Sequence, residues 1–308
     1  MALIASCGRT ALDGADYGST PDAEASAPAC DPSAPFVSIE PVPGVIDAPG
    51  YDSDIRLTPN ELTAYFVSDR ARDSGVYGGE VFVARRASVD QPFANATLVP
   101  GLANPNSTAE DPNVTADELN VVFTGSCFGV FDDPVLCGAR RSSTAANFGA
   151  PFVINAGESS KPIYGGEPYL SHDGTVLYFD GRAFAGHGDG IGRAARAATT
   201  DDFGPIDYVG VDGADGGIFD LNPVVTDDEL VLYFSRYLPP SFNAGAIWFA
   251  TRANTSVPFA NAHPVAELAS PLDAYPNWIS PDGCRLYFTR EVATADGGSQ
   301  PDIFVASK

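Results

Sequence analysis

The chain has 308 residues, 44% of them hydrophobic, enough to bury an ample core in one all-β domain. Its 40 Asp and Glu against 17 Lys and Arg give a formal charge of −23, which excludes the basic footprint that nucleic acid or an anionic membrane surface requires. No run of about 20 apolar residues occurs, so no segment is expected to span a bilayer as a helix.

Residues 1–34 are rich in Ala, Ser, Asp, Pro and Gly without apolar periodicity and read as a flexible tether. Within them Leu3-Ile4-Ala5-Ser6-Cys7 resembles a bacterial lipobox. That resemblance implies lipid on Cys7 and an exported bacterial protein, periplasmic or at the cell surface, which meets the membrane only through its anchor. Only six residues precede Cys7, fewer than the roughly 7–15 apolar residues of a secretory signal. Either Met1 is internal to a longer precursor or the match is chance. The next element, Pro35-Phe36-Val37-Ser38-Ile39, reads as a strand with no unit of its own.

From Thr58 onward nine residues recur five times: TPNELTAYF, TADELNVVF from Thr115, SHDGTVLYF from Ser171, TDDELVLYF from Thr226 and SPDGCRLYF from Ser280. A fixed period of this length marks a supersecondary unit that needs its neighbours to bury its apolar faces. Each copy reads as a polar turn feeding a buried strand, centred on Tyr65-Phe66, Val122-Phe123, Tyr178-Phe179, Tyr233-Phe234 and Tyr287-Phe288. A third strand follows at Glu80, Leu136, Ile191, Ile247 and Ile303. An outer edge strand follows Pro92-Phe93, Pro151-Phe152, Phe203-Gly204-Pro205 and Pro258-Phe259, where proline is tolerated. With the short strand before each turn (Ile55 to Leu57, Tyr169-Leu170, Trp278-Ile279), every unit has four strands. The expected fold is all-β, a five-bladed β-propeller of four-stranded antiparallel blades over residues 35–308. The last unit lacks its Pro-Phe strand, so the strand at Pro35 to Ile39 is expected to complete it and close the ring.

Ser280-Pro281-Asp282-Gly283, Leu286-Tyr287-Phe288 and Asp302-Ile303-Phe304 resemble the blade motif of the TolB-like (WD-like) propeller family. The resemblance covers residues 35–308 and implies the blade. TolB itself has six blades and a further N-terminal domain, so the TolB role is not implied.

With Cys7 assigned to lipid, four of the five cysteines remain. Cys127 and Cys137 flank the connection between neighbouring strands of the second blade, where a disulfide is geometrically reasonable. A Cys30–Cys284 bond would lock the ring, the alternative being four reduced, packed thiols. No CxxC spacing or paired histidines suggest a metal cluster.

Four residues before each repeated Ser/Thr stand Asp54, Asp111, Glu167, Asn222 and Pro276, a polar ring expected at one mouth of the central channel. The ring either binds a cation, sugar or peptide, or pairs structurally with Arg70, Arg182, Arg236 and Arg290. The connections Ser126 to Cys137, Arg182 to Gly190, Tyr237 to Gly245 and Val292 to Pro301 differ most between blades and belong on the same face, carrying Phe128, Phe131, Phe184, Tyr237 and Phe242. Asp212 to Gly217 offers oxygen ligands but no closing Glu for calcium, and no cofactor is expected. His172 and His263 have no visible partner, so no Ser-His-Asp set can be assembled. The favoured function is a monomeric binding module for a protein, peptide or glycan. The alternative is a glycoside hydrolase using Asp54, Asp111 and Glu167.

Overall fold

The repeated turn closes on its own side chains. Thr58 Oγ1 donates to Asn60 Oδ1 (2.7 Å), which accepts Leu62 N–H (3.0 Å), while Thr63 N–H returns to Thr58 Oγ1 (3.2 Å). The same bonds recur at Thr115/Asp117, Ser171/Asp173, Thr226/Asp228 and Ser280/Asp282. Ser or Thr with an Asx two residues on is therefore a turn-forming pair, competing with regular backbone bonding. The fourth turn residue takes positive φ, between 58° and 74°, at Glu61, Glu118, Gly174, Glu229 and Gly283.

The computed structural model describes residues 30–46, 50–70, 79–102, 109–125, 127, 135–157, 160–184, 188–213, 217–240, 244–295 and 297–308. Asp31–Lys308 form one compact unit; Met1–Cys30 form another, of which Cys30 alone is described. Cys7 and the expected tether as far as Ala29 lie outside the described residues.

Five four-stranded antiparallel sheets make the five blades of a propeller. Blade 1 is Asp52–Leu57, Thr63–Ser68, Glu80–Arg85 and Ala94–Leu98. Blade 2 is Ala109–Val114, Asn120–Gly125, Val135–Arg140 and Phe152–Val153. Blade 3 is Gly165–Leu170, Val176–Phe184, Gly188–Ala195 and Asp207–Tyr208. Blade 4 is Phe219–Val225, Val231–Tyr237, Ala246–Thr251 and Ala260–Pro264. Blade 5 is Ala274–Ile279, Arg285–Ala293 and Ser299–Ser307, and its fourth strand is Ser38–Pro41 from the other end of the unit. Ser38 pairs with Ser307 and Pro41 with Phe304, so the ring closes as expected. The innermost strands touch one another in a closed circuit around the channel. Among the described residues no helix is long and apolar enough to cross a membrane.

Two of the expected connections are partly strand. Val176–Phe184 and Gly188–Ala195 run on until Phe184 faces Gly188, and Ala293 faces Ser299, so the described ends of Arg182 to Gly190 and Val292 to Pro301 extend their hairpins. Glycine-rich sequence there reflects crowding: a Cβ on Gly192 would lie 2.7 Å from the Phe179 ring and 2.8 Å from that of Phe184.

Blades are stapled through the turn glutamates. Glu118 of blade 2 accepts from Tyr65 Oη (2.7 Å) and Arg85 Nη2 (2.9 Å) of blade 1, and Arg141 Nη2 donates to the same phenol (2.8 Å). Glu229 gathers Tyr178, Arg193 and Arg252 between blades 3 and 4. Glu61 gathers Tyr287, Arg285 and Arg86 across the closure from blade 5 to blade 1. Blades 3 and 5 carry Gly174 and Gly283 at this position and have no such carboxylate.

Cys127 and Cys137 form a disulfide with Cα atoms 5.6 Å apart. Cys284 is disulfide-bonded as well.

Candidate functional site

Each innermost strand is broken by a β-bulge at the place the acidic ring occupies. Asp54, Asp111, Glu167 and Asn222 sit in the bulge with φ of 55°, 53°, 50° and 52°. This left-handed region tolerates Asp and Asn best, and the extra residue re-aims the side chain out of the ordinary alternation. Pro276 cannot adopt positive φ, so the fifth position departs in conformation as well as in residue type.

The bulges bring three of the five together. One oxygen each of Asp54, Asp111 and Glu167 lies within 4.8 Å of the other two. Asp54 and Asp111 are buried, while Glu167 keeps partial exposure. Asp54 Oδ2 accepts from Ser53 Oγ (2.7 Å), and Glu167 N–H donates to Asp111 Oδ2 (3.3 Å) and Thr124 Oγ1 (3.2 Å), tying blade 3 to blade 2. Asn222 Oδ1 accepts from Ser235 Oγ (2.5 Å), and Asp54 N–H reaches Thr289 Oγ1 (3.3 Å). Thr124, Ser235 and Thr289 each follow the aromatic pair of their repeat, a constant offset through which sequence reading could have found them.

Burial, reinforced by the Asp111 charge, pushes the Asp54 and Glu167 carboxyls well above the ordinary carboxylate range. Beneath them Arg56 is buried, donating to the carbonyls of Ile55 (3.3 Å) and Pro168 (3.4 Å), with its guanidinium 5.8 Å from the Tyr169 ring centre. Tyr275 and Tyr51 complete the surroundings; burial raises both phenols, and the carboxyls add to the shift. Arg56 and Tyr275 escaped sequence reading because they recur in no other blade, and Tyr51 because Tyr164 alone repeats it.

Among the described side chains, the arginines do not pair with the ring. Arg70 binds Asp52 (2.8 Å) and Arg236 binds Asp220 in bidentate fashion (2.6 and 2.8 Å), both two residues ahead of the ring position. Arg236 is buried and lies 4.7 Å from the Trp248 ring centre. Arg290 lies against Phe288 and Phe304. Arg182 lies on the strand Val176–Phe184, with its side chain outside the described set. Tyr237 donates to Asp273 (2.9 Å to Oδ1), and burial together with the Asp273 charge raises its phenol. Phe184 packs on Tyr208, 5.5 Å between ring centres. Phe128, Phe131, Phe242 and residues 214–216 of the calcium candidate lie outside the described residues.

His172 does have a partner. Its Nδ1 lies 2.7 Å from Asp227 Oδ1 in the next blade's turn, and its ring is 6.0 Å from that of Trp278. His263 Nδ1 lies 2.7 Å from the Asn261 carbonyl oxygen. Contacts between turns of different blades carry no signal in a single repeat.

No family model and no curated protein sequence matches the chain. Solved structures with the same fold include a GH43_1 enzyme of Xanthomonas citri complexed with xylotriose, with TM-score 0.58, 17% identity and coverage of 87% of this chain and 89% of that one. A putative glycoside hydrolase from Parabacteroides distasonis ATCC 8503 matches with TM-score 0.52 and 12% identity over 89% of this chain and 94% of that one. TolB from Acinetobacter baumannii matches with TM-score 0.45 and 14% identity over 84% of this chain, which spans only 55% of TolB. At these identities the likeness is one of fold: the chain is a five-bladed β-propeller with neighbours among glycoside hydrolases.

Proposed function

We propose that the protein hydrolyses glycosidic bonds at the channel mouth where Asp54, Asp111 and Glu167 meet. The observation that carries the reading is the convergence of these three carboxyls, from consecutive blades, to within 4.8 Å. Asp54 and Glu167 hold protons where ordinary carboxyls have lost theirs, as a general acid must. Glu167, the least enclosed, is assigned as the acid that protonates the leaving oxygen, while a water takes the anomeric carbon and gives its proton to Asp111 beside it. The glycoside-hydrolase neighbours lend support through the scaffold they share.

The test is reducing-sugar release from a panel of xylo- and arabino-oligosaccharides. Glu167→Gln or Asp111→Asn should lower turnover by about 10²–10⁴-fold with little change in affinity. A wild-type protein that releases no sugar from any member of the panel overturns the reading.

A second reading, a binding face without turnover, is favoured by the bonds that already occupy Asp54 and Asp111 within the protein. Oligosaccharide affinity without cleavage in the same panel would select it; affinity only for a protein or peptide partner would widen it. In either case the disulfides support export to an oxidising compartment, with Cys7 proposed as a lipid anchor.

A further inference from the structure

Three residues ahead of each ring position the chain enters its innermost strand, and the residues there are Tyr51, Thr108, Tyr164, Phe219 and Asp273. Thr108 lies outside the described residues. The other four are unequal. Tyr51 is largely enclosed, and burial raises its phenol; Asp273 is taken up by Tyr237 Oη and Gly245 N–H (2.7 Å). Tyr164 and Phe219 instead keep 48% and 36% of their surface exposed, and Leu238, next to the Tyr237 that pairs with Phe219, keeps 45%. Among the described rim residues, exposed apolar surface thus lies on blades 3 and 4.

At about 3.3 Å per residue, this rim stands about 10 Å of strand above the carboxyls, beyond the reach of a sugar ring seated among them. The next rings of a longer chain would meet it. A sugar ring suits such a place: its C–H face sheds water onto an aromatic or aliphatic surface while its hydroxyls stay free at the edge. We propose that Tyr164 and Phe219 form a distal stacking subsite, leading from the carboxyl trio across blades 3 and 4, that selects oligosaccharides over short glycosides. The inference rests on the carbohydrate reading above and assigns the residues that set its chain-length preference.

The test measures affinity by calorimetry in the full chain carrying Glu167→Gln, with matched two-ring and six-ring xylo- and arabino-oligosaccharides. Tyr164→Ala with Phe219→Ala is expected to cut the ratio of six-ring to two-ring affinity by about tenfold. The single variants Tyr164→Phe and Phe219→Tyr should preserve the ratio because they preserve the ring, and circular dichroism of every variant checks that it is folded. An unchanged ratio overturns the inference, as does equal loss at both lengths or the absence of any binding. Length-dependent binding in a wild-type protein that never cleaves would overturn the hydrolytic reading alone.

Discussion

Positive φ at Asp54, Asp111, Glu167 and Asn222 is the residue-scale feature on which the site depends, because it turns side chains of neighbouring blades toward one point. Crowding carboxyls together out of water carries a pH signature. Asp54 and Glu167 bind protons more tightly in the folded protein than in the unfolded chain. Their contribution to stability is therefore complete below the ordinary carboxyl range and is lost as pH rises through the raised folded values. Asp54→Asn and Glu167→Gln cannot ionise and escape that loss, and each tenfold in proton affinity corresponds to about 1.4 kcal/mol. Thermal midpoints measured from about pH 5 to about pH 9 should show both variants gaining on the wild type as pH rises. A gap that stays constant across that range would show that Asp54 and Glu167 ionise as ordinary carboxyls do.

At the scale of elements, the turn glutamates have the opposite sign. Burial alone would raise Glu118 and Glu229, but hydrogen bonds from Arg85 and Tyr65, and from Arg193 and Tyr178, prevail and hold both below the usual range. Their stabilisation is present above the ordinary carboxyl range and fades as pH falls through the lowered folded values. Glu229→Gln removes the charge that gathers Tyr178, Arg193 and Arg252 and is expected to cost about 2–3 kcal/mol near neutral pH and less in acid. Urea unfolding at the two pH values checks this. A loss equal at both would mean that packing, and not the charge, joins blades 3 and 4. The staple also explains why a non-glycine residue tolerates positive φ in three of the five turns: interblade hydrogen bonds offset the backbone strain, and where they are missing glycine takes the place.

The whole molecule depends on the pairing of Ser38–Pro41 with Ser299–Ser307. This strand covers an edge that would otherwise lie open, and it seats the buried side chains of Phe36 and Val42. At about 2 kcal/mol for each buried side chain, a chain beginning at residue 46 should lose about 4 kcal/mol or more relative to one beginning at residue 29. Differential scanning calorimetry of the two truncations decides it; equal midpoints would show that the blade stands without its fourth strand.

Blade number, strand order within a blade and ring closure could be read from the chain alone, because each follows from a local pattern repeated five times and from one strand missing at one end and present at the other. The acidic ring was legible for the same reason, as a constant offset from the repeated turn. What lay beyond sequence was the choice of partner for each polar side chain: that Asp54, Asp111 and Glu167 converge while Asn222 is held by Ser235, that Arg70 and Arg236 pair two residues away from the ring, and that Asp227 reaches His172. The pairings within a blade turn on bulges that re-aim one side chain per strand. Those between blades join residues more than fifty positions apart at angles set by blade packing, and no periodicity along the chain records an angle between blades.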